Sequence, residues 1–251
     1  MGAYAPPRSR DRRRLPADAR LRPEGRAVHA LIVVAHPEPQ SYTAALARTA
    51  AEALAADGWD VVIDDLSAEG FRPDAGWHDV LEEPSGALQV MAAQERAAAG
   101  GGFAPDVARE IARLQACDLL ITAFPLWWFG PPAILKGWFD RVLANGVGYS
   151  DHPFTEGPLK GKRALAIVTT AGDEASYYGP EGRAGDLRAL LNPVLHGTFA
   201  YCAFDVLDPH VVYEADGPDD AVRARGLADL STRLAGIGGE PPIATRPLRA
   251  P

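Results

Sequence analysis

The sequence predicts an α/β domain in which one parallel sheet of five strands lies between two layers of helices. Its 251 residues are enough for one such domain. Short β-branched apolar runs alternate with helical segments, and no repeat or low-complexity tract interrupts that order. Because parallel strands are joined by right-handed crossovers, we expect a doubly wound, three-layer αβα architecture.

The first half of this pattern begins at Ala27 with the run AVHALIVVA, which is typical of a strand covered on both faces. Ser41 is a suitable N-cap for an alanine-rich helix that ends at Gly58. Residues 59–66 form the second predicted strand. The roughly forty residues that follow are too long for an ordinary connection, so we expect short helices there that cover a site or a partner.

The second half continues the alternation of helices and strands. Proline at the first turn favours a helix at 105–115, and two prolines favour another after residue 130. The remaining predicted elements are strands at 117–124, 164–170 and 205–207, and helices at 186–201 and 219–234.

Charge and composition exclude several functional classes. The net charge is −8, yet residues 1–26 hold eight arginines against three acidic residues, which leaves about −13 on the rest and disfavours nucleic acid as a partner. The longest uncharged run, 119–135, is shorter than the roughly 20 residues of a membrane span and contains prolines.

We predict a disordered basic tail at 1–26, one domain at 27–236 and a C-terminal tail at 237–251. Cys117 and Cys202 form no metal or redox motif, which suits a reducing cytoplasm.

Three loops are expected to form the functional site. In doubly wound sheets, ligands bind beyond the carboxyl ends of the strands where the strand order reverses. For the order 2-1-3-4-5 this point lies between the first and third strands. The prediction therefore selects residues 36–43, 125–130 and 169–183.

The loop after the first strand, HPEPQSYT, contains no glycine, which disfavours the G-x-G-x-x-G mode of dinucleotide binding. Ser41 and Thr43 instead offer hydroxyls beside the free N–H groups of a helix N-terminus, an arrangement that suits phosphate or pyrophosphate. Two simpler interpretations remain open: Ser41 could act only as an N-cap, and His36 could be a structural histidine.

The loops after the third and fourth strands are rich in aromatic and small residues. Trp127, Trp128 and Phe129 are consecutive and cannot all face one core, so at least one should line a pocket for a flat ligand, with edge packing or a dimer contact as the alternative. The loop after the fourth strand has glycines that allow close backbone approach, and polar side chains follow. No G-x-S-x-G, H-E-x-x-H or P-loop motif is present. This combination favours a flavin site over a hydrolase or metal site.

Several segments together resemble the NAD(P)H dehydrogenase (quinone) family, also known as DT-diaphorase: ALIVVAHPEPQSYT, GWDVVIDDL, FPLWWFGPPAILKGWFDRV and FDVLDP. The similarity runs from residue 28 to residue 234. It implies a flavodoxin-like fold with strand order 2-1-3-4-5, bound FAD or, second, FMN, and NADH or NADPH as co-substrate. It also implies a homodimer whose active sites lie at the subunit interface, and a quinone-like acceptor.

The resemblance implies a role for individual residues by position. The pyrophosphate of FAD would lie against His36, Ser41, Tyr42 and Thr43, with Arg223 near the adenine. The isoalloxazine ring would contact two groups of residues: Pro125, Leu126, Trp127, Trp128 and Phe129 after the third strand, and Thr169, Thr170, Ala171, Gly172 and Tyr177 after the fourth. The substrate pocket would be lined by Trp128, Phe129 and Tyr178, together with Tyr149 and Tyr201 of the second subunit.

Two positions depart from the family motif. Tyr177 is followed six residues later by Arg183, where the family has a histidine, and Tyr178 competes for the role of the tyrosine. Ala171 stands where glycine is usual.

The expected reaction is ping-pong transfer of two electrons as hydride, with Tyr177 and Arg183 as the catalytic pair. Because the pKa of arginine exceeds about 12, Arg183 cannot shuttle a proton, and solvent or Tyr177 must supply it.

Two alternatives remain open at this point. The chain could be a flavin-binding regulatory subunit of a membrane transport system, since members of the family also bind such proteins. It could instead reduce an azo compound, a nitroaromatic or a biosynthetic quinone.

Overall fold

The structure, a computed structural model, describes residues 27–245, and these residues form the predicted three-layer domain. The strands pair in parallel in the order 2-1-3-4-5, which confirms the predicted sheet. They are β1 (His29–Val34), β2 (Asp60–Asp65), β3 (Leu119–Pro125), β4 (Arg163–Thr169) and β5 (Asp205–Val206). The predicted tail at 1–26 and residues 246–251 lie outside the described part of the chain.

A sixth strand, β6 (His210–Val212), was missed by the sequence prediction. It pairs in parallel with the carboxyl half of β4, whereas β5 pairs with the amino half. The two segments are thus one interrupted edge strand. Pro209 lies in the interruption and has no N–H to donate to the ladder, which explains the break.

Alternate residues of each strand face opposite helical layers, as the twofold period of a strand requires. Ala30 and Ile32 of β1 pack with α1 (Tyr42–Ala56) and α7 (Asp220–Leu234), while Leu31 and Val33 face the other layer. That second layer contains α2 (Val90–Gly100), α3 (Pro105–Ala116) and α4 (Ala133–Val142). Asp219 caps α7 by accepting a hydrogen bond from the Ala221 N–H, at the predicted helix start.

The long connection between β2 and α3 contains a 3-10 turn at Trp77–Asp79 and the helix α2, so the predicted short helices are present. It is anchored on α4 by the fully buried Arg141, which donates to Asp79, Asp106 and the Arg72 carbonyl at 2.7–2.8 Å. Gly137 allows the close approach, because a Cβ there would lie 2.0 Å from the Pro73 carbonyl oxygen. The connection is therefore a packed part of the domain.

The sequence predicted one continuous helix at 186–201, and this prediction is wrong because the segment is broken into three short helical pieces. The segment forms α5 (Leu187–Leu190), α6 (Asn192–Val194) and a π-helical stretch, Leu195–Ala200. Pro193 begins the second piece and cannot donate the hydrogen bond that would continue the first. The Thr198 hydroxyl also donates to the Pro193 carbonyl at 3.0 Å, which stabilises the wider turn.

The chain after α7 returns to the sheet within the segment predicted as a C-terminal tail. Ile237 is fully buried, and the Ile243 N–H donates to the Val206 carbonyl at 2.8 Å. The buried Arg163 guanidinium donates to the carbonyls of Ile237 and Glu240. Residues 237–243 thus cover the edge of the sheet beside β5.

Candidate active site

A cleft of about 280 Å³ opens at the carboxyl ends of β1, β3 and β4, where the strand order reverses. The structure brings together here most of the residues that were predicted to bind a cofactor. The lining consists of His36, Tyr42, Thr43, Pro125, Leu126, Trp127, Thr169, Thr170 and Ala171, with Ala215 and Asp216 in addition.

The floor of the cleft is formed by the N-terminus of α1. Ser41 does not line the cleft, because its Oγ caps the helix by accepting a hydrogen bond from the Ala44 N–H at 3.2 Å. The buried Thr43 hydroxyl lies 3.0 Å from the Thr169 hydroxyl and so connects α1 to the end of β4. N–H groups in the first turn of a helix have no acceptor within that helix, and they attract anions. The floor can therefore hold a phosphate group.

His36 lies at the rim of the cleft with a fixed ring orientation. Its Nδ1 accepts a hydrogen bond from the Glu38 N–H at 3.0 Å, so a neutral imidazole carries its proton on Nε2. The ring centroid is 5.7 Å from that of Trp127. His36 is thus held as a donor at one edge of an aromatic wall.

The aromatic wall is built on a strained turn after β3. Trp127 and Gly130 exchange backbone hydrogen bonds at 3.0 and 3.1 Å, which leaves Trp128 and Phe129 as the two central residues with φ of 51° and 61°. Positive φ at both positions normally calls for glycine or asparagine, so bulky residues are strained there. The Trp128 side chain is 97% exposed and Phe129 44%. The backbone geometry directs both rings away from the core, and neither lines the cleft within one chain, where Trp127 is the aromatic residue of this turn that forms the wall.

The ends of β4 and β6 form the opposite side of the cleft. The Leu126 N–H donates to the Thr169 carbonyl at 2.9 Å, and the Thr170 hydroxyl donates to the Gly172 carbonyl at 2.9 Å. The Ala215 N–H donates to the Thr170 carbonyl at 2.9 Å. Ala215 and Asp216 were missed because β6 was missed. The β-branched pair Val211–Val212 directly after a D-P turn was the signal that could have identified them.

The loop after β4 places the two rival tyrosines side by side, with their ring centroids 4.8 Å apart. Tyr177 is half-buried and packs against Gly172, where a Cβ would lie 2.6 Å from the Tyr177 ring. Tyr178 is only 7% exposed and faces away from the cleft, toward Tyr213 at 6.1 Å between ring centroids. Arg183 is exposed on the same loop, and its N–H donates to the Ser176 carbonyl at 3.2 Å. Gly172, Tyr177 and Arg183 lie next to the cleft without lining it.

Arg223 contacts the cleft through Tyr42. The Tyr42 hydroxyl donates to the Arg223 carbonyl at 2.9 Å, and burial raises the pKa of Tyr42 to about 12, although Arg223 partly opposes the shift. The Arg223 guanidinium itself donates to the Gly217 carbonyl and to Asp220. Gly226 permits this packing, because a Cβ there would lie 2.3 Å from the Tyr42 hydroxyl.

Tyr149 and Tyr201 lie together on a different part of the surface. Their ring centroids are 5.3 Å apart, and Phe154 contacts Tyr201 at 5.2 Å. Phe154 also stacks on His196 at 4.9 Å and has a φ of 69°. Phe154 and His196 were not predicted as site residues. This aromatic cluster is separate from the cleft within one chain.

One carboxylate cluster, formed by Asp64, Glu69 and Glu110, could be mistaken for a metal site. Arg113 Nη1 lies 2.9 Å from a Glu110 oxygen and 3.1 Å from Asp64 Oδ1, and Arg109 contacts Glu69 at 3.0 Å. Two guanidinium groups therefore already pair with these carboxylates, which disfavours a metal ion in this cluster.

Within residues 27–245, no helix combines the length and the apolar character that crossing a lipid bilayer would demand. The model of the family with the flavodoxin-like fold matches residues 28–234. NAD(P)H dehydrogenase (quinone) 1 of Rattus norvegicus is 38% identical over 85% of this chain and 79% of its own length. Ribosyldihydronicotinamide dehydrogenase (quinone) of Mus musculus is 38% identical over 86% of this chain and 95% of its own length.

Among solved structures, a presumed quinone reductase from Klebsiella pneumoniae superposes with a TM-score of 0.81 at 35% identity, covering 86% of this chain and 87% of its own. The matched region contains all the strands and the three loops that border the cleft. The chain therefore belongs to the NAD(P)H dehydrogenase (quinone) family of flavodoxin-like proteins.

Proposed function

We propose that this protein is a flavin-dependent NAD(P)H:quinone oxidoreductase that uses FAD and reduces a quinone-like acceptor by two electrons. The observation that carries the proposal is the convergence of two unlike features in one cleft. A helix N-terminus with threonine hydroxyls lies beside an aromatic turn held at positive φ. The relatives named as quinone dehydrogenases support the same assignment.

The residues of the cleft fit a flavin. Thr43 and the first-turn N–H groups of α1 suit the phosphates, and Trp127 with Pro125 provides a flat apolar wall for a ring system. Thr170 and Ala171 lie across from that wall, where backbone groups can reach the polar edge of the ring. We propose FAD over FMN because the resemblance to the quinone dehydrogenases implies FAD with Arg223 near its adenine, and Arg223 is connected to the cleft by the hydrogen bond from Tyr42 to its carbonyl.

A bound flavin would supply the hydride chemistry, accepting a hydride from a nicotinamide and delivering it to the acceptor. The protein positions the partners and stabilises charge. The nicotinamide and the quinone would use the same open face of the cleft, so they bind in turn, which is a ping-pong order. The exposed rings of Trp128 and Phe129 would exclude water from that face.

Tyr177 and Arg183 are proposed to stabilise the negative charge that develops on the acceptor oxygen. Their loop is held by hydrogen bonds from the Ala184 N–H to the Tyr177 carbonyl at 2.9 Å and from the Arg183 N–H to the Ser176 carbonyl. A phenol and a guanidinium aimed at an oxyanion act as preorganised donors. The proton comes from the Tyr177 hydroxyl or from solvent, since Arg183 stays protonated.

We further propose a homodimer in which Tyr149 and Tyr201 of one subunit complete the substrate pocket of the other. The exposed Phe154, 45% accessible, belongs to the same aromatic cluster, and an apolar surface of this kind suits a subunit contact. Cys117 and Cys202 are buried free thiols, which is consistent with a location in the reducing cytoplasm.

Steady-state kinetics test the function. The purified protein, saturated with FAD, is supplied with NADH or NADPH and a benzoquinone at several concentrations of each. We expect one hydroquinone for each nicotinamide oxidised, and parallel lines in double-reciprocal plots. Converging lines would overturn the ping-pong order, and the absence of turnover with both nicotinamides would overturn the proposed activity.

A further inference from the structure

A second cleft, of about 790 Å³, lies on the other side of the loop after β4 and shares no lining residue with the candidate active site. It is bounded by that loop, by α5 and by the turn between β5 and β6. Six of its side chains bear on what it could bind: Glu174, Tyr178, Asp186, Asp208, His210 and Tyr213. We name it the acidic cleft.

Two tyrosines form the aromatic wall of the acidic cleft and have hydroxyls free for a ligand. Tyr178 is 7% exposed, yet within residues 27–245 no hydrogen bond involves its hydroxyl or that of Tyr213. Both hydroxyls reach solvent, so water or a ligand can form hydrogen bonds with them. Burial raises the pKa of both Tyr178 and Tyr213, so both remain neutral phenols at neutral pH.

The charged groups give the acidic cleft an excess of negative charge. Arg188 is the one lysine or arginine among its lining residues, and it forms an ion pair with Asp208. Asp186 accepts a hydrogen bond from the Arg188 N–H at 2.7 Å but has no ion pair among the described residues. Glu174 has neither a hydrogen bond nor an ion pair in the described part of the chain.

His210 does not offset this negative charge. Burial lowers its pKa, with Arg233 adding to the effect, so the imidazole is neutral at neutral pH. Its Nε2 is buried without a hydrogen-bond partner among the described residues. After burial, Glu174 and Asp186 are the next causes of the raised pKa of Tyr213, which places their carboxylates close to this ring.

From this arrangement we propose that the acidic cleft binds a small organic cation that carries a flat apolar group. The positive charge would lie beside Glu174 and Asp186, and the apolar part against the faces of Tyr178 and Tyr213. Carboxylates attract the charge, and aromatic faces add a cation–π contribution. An anion would meet the uncompensated carboxylates and be repelled.

Calorimetric titration of the purified full-length protein tests this proposal, with benzyltrimethylammonium as the probe. Benzyl alcohol and benzoate serve as the neutral and anionic counterparts. We expect saturable binding of one benzyltrimethylammonium per chain, with affinity reduced about tenfold in Glu174→Gln, since the charge is lost without a change of shape. Ala175→Phe should abolish binding by filling the cleft, because Ala175 is an exposed lining residue.

The matched control is Ala171→Phe, which places the same ring on the same loop but in the other cleft. It should leave the affinity for benzyltrimethylammonium unchanged. Absence of saturable binding, equal affinity for benzyl alcohol, or unchanged affinity in both Glu174→Gln and Ala175→Phe would overturn the proposal.

Discussion

Two of the three loops that border the candidate active site are supported in opposite ways. The turn after β3 leads into α4, which is fixed by the buried Arg141 and by the close contact of Gly137 with Pro73. The loop after β4 is held largely by exposed groups, such as Asp173 with Ser176. The turn is therefore part of the core, whereas the loop folds mostly on itself.

This difference explains where the sequence keeps the family motif and where it departs from it. The segment FPLWWFGPPAILKGWFDRV contains both the aromatic turn and the residues that anchor it, so a change there affects folding. The loop after β4 contains Ala171 and Arg183, the two departures, and can change with little effect on the core. We infer that the turn after β3 positions the cofactor, whereas the loop after β4 modulates the rate of acceptor reduction.

The largest expected effect is on stability, from Arg141→Met. This change leaves Asp79 as a buried carboxylate without its partner and removes the contact to Asp106. Breaking a buried ion pair costs about 3–5 kcal/mol, so urea unfolding should show a loss of that size.

The matched control for Arg141→Met is Arg188→Met, which breaks the half-exposed pair with Asp208 in the neighbourhood of the β4 loop. Such pairs contribute less than about 1 kcal/mol. Equal losses in the two variants would contradict the contrast between an anchored turn and a self-supported loop.

A second prediction concerns the rate at which quinone oxidises the reduced enzyme, and it tests the role of the loop after β4. Tyr177→Phe and Arg183→Ala should each slow oxidation of the reduced enzyme by quinone about 10²–10³-fold, because a charge-stabilising donor is lost. Reduction by the nicotinamide and affinity for flavin should change little. Stopped-flow absorbance resolves the two half-reactions.

Tyr178→Phe is the control, since Tyr178 is buried on the side of the acidic cleft. It should leave both half-reactions near the wild-type rates. If Tyr178→Phe alone were slow, the assignment of Tyr177 would be wrong.

A third prediction concerns the pH dependence of stability and tests the buried carboxylate of Asp64 in β2. Burial, with Glu110 next to it, raises the pKa of Asp64 from 3.8 to about 8, although Arg113 opposes the shift. Asp64 is fully buried beside the Glu110 carboxyl, and Arg113 Nη1 lies 3.1 Å from its Oδ1. The folded state therefore favours the neutral acid.

The sign of the effect on stability follows. The contribution of the neutral Asp64 is fully present below its unfolded pKa and is lost as pH rises through the folded value of about 8. Asp64→Asn keeps a neutral group of the same shape, so its stability relative to wild type should rise between about pH 4 and about pH 8 and stay constant above that range.

The measurement is chemical unfolding of both proteins across this range, with Asp60→Asn, at an exposed position of the same strand, as the control. A stability difference between wild type and Asp64→Asn that is constant with pH would contradict the raised pKa.

Much of the fold could be predicted from local signals in the sequence. The strands β1 to β4, the Ser41 cap and the α7 start at Asp219 follow from apolar runs and capping residues near each other in the chain, whereas the strand order was implied by the family resemblance. The prediction failed where structure depends on distant contacts. β6 has three residues and exists because it pairs with β4. The break after α5 was missed for a different reason, because the local signal of Pro193 was overlooked.

The site could be predicted less completely, because it is assembled from several loops. The nine predicted residues that line the cleft come directly after strands, or from the first turn of α1, where the rule for doubly wound sheets applies. The positive φ of Trp128 and Phe129 could not be predicted from the sequence, because bulky aromatic residues are unusual in such a turn. Both tyrosine rings lie against Gly172, and the position of Tyr178 in the acidic cleft depends on its packing against Tyr213.

The most direct test of the central claim is the flavin content and affinity of two variants of one loop. Ala171 lines the candidate active site and Ala175 the acidic cleft, so a phenylalanine at either position blocks one cleft and leaves the other open. Titration of flavin-free protein with FAD, followed by quenching of flavin fluorescence, should show one bound FAD per chain for wild type and Ala175→Phe, and strongly weakened binding for Ala171→Phe. Wild-type affinity in Ala171→Phe, or no FAD binding by the wild-type protein, would contradict the placement of the flavin between β1, β3 and β4.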